Sequence, residues 1–162
     1  MIKGINRQLN VVILISVVFL TACNSDTIYS DSVAMPDKTW RLTDIPTFQV
    51  PVTDTIYNAD VSFLIRTGSD YPFRNIYLFV TIVSPDGKSI SDTLQYDIAD
   101  EKGNWKGKGF GDIHELNLPY KSNVFFPLKG LYLFKIRHGM RTGDLKGVYD
   151  FGIRLEKAAV NN

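Results

Sequence analysis

The chain has 162 residues, 18 Lys+Arg against 17 Asp+Glu, and 44% hydrophobic residues. A near-neutral balance without a basic stripe excludes a nucleic-acid binder, and a single cysteine excludes disulfides and thiolate-held metal clusters. This length suits one domain that buries about two-thirds of the surface its unfolded chain exposes, enough for a core held together by burial alone.

Residues 1–22 read as a lipoprotein signal peptide. Lys3 and Arg7 form a positive start without acids, and Val11–Leu20 is an almost unbroken apolar run. That run falls short of the roughly 20 residues a bilayer span needs and has the form of a secretory signal. It closes on Leu20-Thr21-Ala22-Cys23, a lipobox. The Cys23 thiol is the one side chain here nucleophilic enough to take up a thioether-linked diacylglycerol. Small Thr21 and Ala22 let a peptidase reach the backbone, and Leu20 fills an apolar subsite. Cleavage then leaves Cys23 as the first residue, bearing acyl chains such as palmitate. Because Lys3 and Arg7 leave with the signal, the mature chain has one more acid than base.

Residues 23–39 are expected to form the lipidated N-terminus and a flexible tether, since Asn24–Lys38 is polar with scattered apolar residues. A coil of that length spans on the order of 20 Å. From Trp40 the hydrophobic period is two, which predicts strands. Phe48, Val50 and Val52 alternate beside Pro46 and Pro51, the pattern of an edge strand. Val61, Phe63 and Ile65 line one face of the next strand. Ile76–Val83 (IYLFVTIV) is apolar on both faces, predicting a central strand covered on both sides. Ser84-Pro85-Asp86-Gly87-Lys88 is a turn in which proline presets one φ and glycine accepts a positive one. It leads into Ile90–Ile98 with Leu94, Tyr96 and Ile98 inward, so the two strands make a hairpin. Ile113–Leu118, Gly130–His138 and Val148–Glu156 follow, the last with Tyr149, Phe151, Ile153 and Leu155 inward. No stretch has a convincing helical period. Residues 40–157 therefore predict an all-β fold, an antiparallel β-sandwich of jelly-roll or immunoglobulin-like type with about seven or eight strands, followed by a disordered tail over 158–162.

Gly103–Gly111 is the segment most open to a functional reading. Three residues separate Gly103 from Gly107, and Gly109 stands where a phosphate loop needs a hydroxyl, so nucleotide binding is rejected. Glycines at 107, 109 and 111 share one face of an extended segment and suit a close backbone approach with Trp105 packed over them. The same shelf beside an exposed tryptophan would also stack a sugar or accept a partner's strand. Trp105, Gly107 and Gly109 are therefore candidate contacts. Arg66 and Arg141 join them, because Arg66, Arg74, Arg137 and Arg141 would make a patch for an acidic partner if they converged. Asp112 with Glu115, or Asp97 with Asp100 and Glu101, is read as solvated acids rather than a glycosidase pair. His114 and His138 lack companion ligands for zinc, and His138 is expected to be hydrogen-bonded at a strand end. No catalytic residue, metal or cofactor is assigned.

The lipobox is followed in order by Trp40-x-x-x-Asp44, the arginine-ended strand at Arg66, Tyr71-Pro72-x-x-Asn75, Asp92-Thr93-Leu94 and Gly103-x-Trp105-x-Gly107-x-Gly109. Then come Gly130-x-Tyr132-x-Phe134, His138-x-Met140-Arg141, Leu145-x-Gly147 and Asp150-x-Gly152-x-Arg154-x-Glu156. This order of segments resembles the GldH family of gliding-motility lipoproteins from Bacteroidetes. The resemblance implies a cell-envelope lipoprotein belonging to a gliding and protein-secretion apparatus, and it carries over no active site. The expectation is a non-enzymatic protein anchored through Cys23, in the outer membrane facing the periplasm, within an envelope protein complex. The runner-up is a carbohydrate-binding sandwich that stacks a glycan on Trp40 and Trp105.

Overall fold

The computed structural model describes residues 26–159. Cys23 and the signal peptide lie outside them, as do the last residues of the tail. The strands are β1 (Thr27–Ala34), β2 (Thr39–Arg41), β3 (Thr47–Val52), β4 (Ala59–Gly68), β5 (Asn75–Val83), β6 (Ser89–Asp97), β7 (Lys108–Phe110), β8 (Ile113–Val124), β9 (Gly130–His138), β10 (Asp144–Lys146) and β11 (Val148–Lys157). One sheet has the order β1-β11-β4-β8-β7, the other β3-β9-β5-β6, and β2 pairs with β10 as a small ribbon. Every pairing is antiparallel.

Setting aside the three-residue strands, the first principal strand pairs with the last (β1 with β11), the second with the one before it (β3 with β9), then β4 with β8 and β5 with β6. This nested pairing of one long ribbon, wrapped so that alternate pairs fall in opposite sheets, is a jelly roll. Of the two sandwich types expected, it selects one. The β5–β6 turn closes the ribbon, with the Ser84 N–H donating to the Lys88 carbonyl at 2.8 Å.

Alternation explains the core. Phe48, Val50, Val61, Phe63, Ile65, Ile76, Leu78, Val80, Phe134, Ile136, Phe151 and Ile153 point between the sheets and are buried. Phe151 is the aromatic hub, with ring centroids 4.8 Å from Trp40, 5.5 Å from Phe63 and 6.5 Å from Phe48. Rings in these tilted arrangements gain from quadrupole geometry as well as from area. At the open side of the sandwich, Tyr120 on β8 donates to Asp92 on β6 at 2.5 Å, and Lys121 pairs with the same carboxylate at 2.8 Å. Lys121 first, then Tyr120, holds Asp92 below the usual carboxylate range. This cluster joins the two sheets where no backbone ladder does.

Three expectations are corrected. The tether is shorter than 23–39, because Thr27–Ala34 is an edge strand on β11. Its polar side chains concealed it: an edge strand is held by backbone bonds, and exposed charges such as Asp31 protect it from stray pairing. The central strand β5 buries only one face; Tyr77 and Phe79 on the other are 38% and 39% exposed, since among the described residues no layer covers the outside of that sheet. On β11 a register shift between Val148 and Asp150 leaves Tyr149 half-buried and turns Asp150 inward. At the tail, the Ala158 N–H donates to the Asn58 carbonyl at 2.9 Å.

Candidate interaction site

Three of the sequence-predicted contacts, Trp105, Gly107 and Gly109, gather at the end of the sandwich where β4 finishes and β7 and β8 meet. Trp105 makes an isolated bridge through Ala99. Its ring stacks on His114 at 4.9 Å with an 11° interplanar angle, and meets Tyr71 edge-on at 6.4 Å. Gly109 is needed there: a Cβ would lie 2.5 Å from His114 Nδ1 and 2.8 Å from the Ile113 carbonyl oxygen. Gly107 likewise approaches the Glu115 carbonyl oxygen, at 2.5 Å from a would-be Cβ. The glycines thus seat β7 and the preceding loop against β8. Trp105 covers the His114 ring rather than the glycines themselves.

Arg66 lies on the same sheet, but its guanidinium is engaged. Arg66 Nε donates to Asp150 Oδ2 at 2.6 Å, and the two residues are register partners on β4 and β11. The hydrogen bond to Asp150, then its charge, raises the Arg66 pKa. This pair accommodates the inward Asp150. Arg137 projects from the other sheet over the Phe79 ring, with 5.3 Å from its guanidinium carbon to the ring centroid. Arg74 precedes β5 and Arg141 follows β9, both exposed. The four arginines therefore divide between opposite sheets and do not form the single patch expected of them.

The acids near Gly103 have local partners. Asp100 Oδ1 accepts from the Lys102 and Asn104 N–H groups, each at 2.8 Å, and Asp97 pairs with Lys106 at 3.0 Å. Hydrogen bonds from Asn104 lead the causes that lower the Asp100 pKa. Their geometry is that of a turn cap. Among the described residues, no three His, Cys, Asp or Glu side chains cluster as a metal site would require. For glycan stacking, Trp40 offers no exposed face, being fully buried with its Nε1 donating to the Asp44 carbonyl at 2.9 Å.

His138 differs from expectation. It is fully buried, edge-on to Trp40 at 5.6 Å, and among the described residues neither ring nitrogen has a hydrogen-bond partner of normal geometry. Burial lowers its pKa below the ordinary 6.5; the Trp40 backbone pulls it back upward, and the nearby Arg137 charge lowers it further. The consequence has a definite sign. The unfolded chain takes up a proton near the ordinary histidine value and the folded chain does not, so stability is full above that value and falls as pH drops toward the folded pKa. Urea midpoints measured from about pH 7 to pH 5 should decline in the wild type, and His138→Leu should flatten that slope. An unchanged slope would remove His138 as its source.

The other end of the sandwich, formed by loops 53–58, 84–88 and 125–129, was not anticipated as a site. It contains a cavity of about 400 Å³ lined by Val61, Ile82, Tyr120, Val124, Phe126 and Tyr132. Ile90, Phe125 and Leu128 line it with exposed side chains, and Ile56 and Leu131 are exposed elsewhere at this end. The clue was present as apolar residues beside Pro127 and within the polar loop holding Ile56, positions that no strand pattern requires.

Comparison with known proteins matches residues 27–155 to the family described as GldH lipoprotein. The chain is 33% identical over 154 residues to the "Gliding motility lipoprotein GldH homolog" of Christiangramia forsetii, covering 91% of this chain and 94% of the relative. It is 31% identical over 153 residues to the "Gliding motility lipoprotein GldH" of Flavobacterium johnsoniae, covering 90% and 94%. A solved structure of infectious bursal disease virus, Gx strain, aligns at 17% identity and a TM-score of 0.29; the chain spans 31% of its length, and the likeness carries no argument.

Proposed function

Because this chain belongs to the GldH lipoprotein family, we propose that it is a non-enzymatic, lipid-anchored component of the envelope machinery for gliding and the associated protein secretion. The observation that carries this reading is the extent of the match. The family region covers the sandwich from the first residue of β1 to within two residues of the end of β11. What the relatives' names state, a gliding-motility lipoprotein, therefore concerns a protein with this same domain. Cys23 is the anchor, its thiol acylated before the chain is cut ahead of it. More than one acyl chain makes such attachment stable. Asn24-Ser25-Asp26 has no acidic run directly after the cysteine, which favours the outer membrane with the domain in the periplasm. The sandwich then supplies surface to an envelope complex, with Trp105, Gly107 and Gly109 at one end as contact candidates.

Replacing Cys23 with serine and fractionating cells tests the anchor. The variant should leave the membrane fraction for the periplasmic one, and gliding or secretion should fail with it. Continued membrane residence of the serine variant would refute anchoring through Cys23. Crosslinking in the intact envelope followed by pull-down should recover other proteins of the apparatus.

A further inference from the structure

The chain enters the domain at the apolar end of the sandwich. Thr27 opens β1 opposite Glu156, and the Lys157 N–H donates to the Asp26 carbonyl at 2.8 Å, beside the loops at 53–58 and 125–129. Four residues take the chain from Cys23 to Thr27. At full extension they reach only about 14 Å. An acyl-bearing Cys23 thus leaves this end, and not the one holding Trp105, next to the lipid surface.

The side chains there suit that neighbour. Ile56 is 85% exposed, Phe125 57%, Ile90 55% and Leu131 51%. They come from two loops and the starts of β6 and β9 at this end; Ile90 and Phe125, with Leu128, line the apolar cavity, and Ile56 borders a neighbouring hollow with Tyr57 and Asn58. Clustered exposure of large apolar groups marks a surface that is covered in use. Lys88, Lys129 and Lys157 stand exposed in the same loops and strand ends, and their long stems can lie along a membrane while the ammonium groups stay in water. Acids are present as well: Asp86 pairs with Lys88 at 2.8 Å, and Asp54 and Asp60 sit in or beside the first loop. Charge is therefore balanced, and apolar burial is what would hold this end to lipid.

We infer that the end of the sandwich built from loops 53–58, 84–88 and 125–129 rests on the lipid bilayer, with Ile56, Phe125 and Leu128 inserted into its interfacial region. This rests on the acylation of Cys23 proposed above. The orientation it fixes points Trp105, His114 and Arg141 away from the membrane, toward any partner.

The test uses the full lipidated protein in vesicles of phosphatidylethanolamine and phosphatidylglycerol. Acylation blocks Cys23, so Phe125→Cys and, at the opposite end, Ile45→Cys each provide one thiol for a nitroxide label. Flotation with the vesicles reports the anchor, and collision accessibility of the label reports its depth. The protein should float, with the label at 125 more accessible to oxygen than to a water-soluble nickel chelate and the label at 45 the reverse. A floating protein whose label at 125 is as open to nickel as that at 45 overturns the inference and leaves the anchor standing; that outcome is also what an end reserved for a protein partner predicts. Failure to float overturns the anchor and the inference together.

Discussion

Replacing Phe151 with alanine should lower the unfolding free energy by about 4 kcal/mol, within the range for deleting a large aromatic from a closed core. Two terms add. The lost ring no longer removes its area from water, and its neighbours cannot fill the void. Trp40, Phe48 and Phe63 each come from a different strand, and each meets the Phe151 ring. None can move inward without breaking its own ladder. A chain of this kind has a net stability on the order of 10 kcal/mol, so the loss removes a large share of it. Urea denaturation followed by tryptophan fluorescence measures the effect, because Trp40 reports from the same cluster. A loss under about 1 kcal/mol would mean the cluster relaxes far more than its packing suggests.

Gly147→Ala should cost about 3 kcal/mol, although it adds a single methyl group. Gly147 has φ of +75°, and an added Cβ would lie 2.5 Å from the Tyr71 nitrogen and 2.7 Å from its Cα. Those atoms are backbone and cannot swing aside. Gly87→Ala provides the control. Its φ of +83° is equally left-handed, yet among the described residues nothing lies within 4 Å of its would-be Cβ. It should show the conformational cost alone, about 1 kcal/mol. The difference between the two variants isolates the contact between Gly147 and the Asp70–Tyr71 segment, and equal losses would show that segment free to yield.

Strands with one wet face were legible because alternation is a direct record of burial. Val61-x-Phe63-x-Ile65 and Tyr132-x-Phe134-x-Ile136 point inward as their spacing predicts. β1 was not legible, since its stability comes from backbone bonds to β11 that leave no mark in side-chain pattern. β5 misled in the opposite direction: Tyr77 and Phe79 are apolar, but β-propensity rather than burial accounts for their presence on an outer face. In the closing strand the alternation predicted from sequence is one residue out of step near Tyr149, because a bulge shifts it without changing composition. At the glycine-rich segment, the sequence signalled close backbone approach correctly, and only the structure identified His114 as the ring beneath Trp105. The apolar end was hidden because its residues are scattered among loops and become neighbours only once the ribbon is wrapped.

The nested pairing also governs when the protein can fold. β11, the last strand made, lies between β1 and β4 in its sheet and carries Phe151. Until it arrives, the first strand has no partner and the aromatic cluster no centre. A shorter nascent chain has no means of closing the core, and the contacts that must form span nearly the entire sequence, which makes closure slow. For the exported precursor proposed above, a core that closes only on its last strand leaves the chain extended enough to thread a membrane pore.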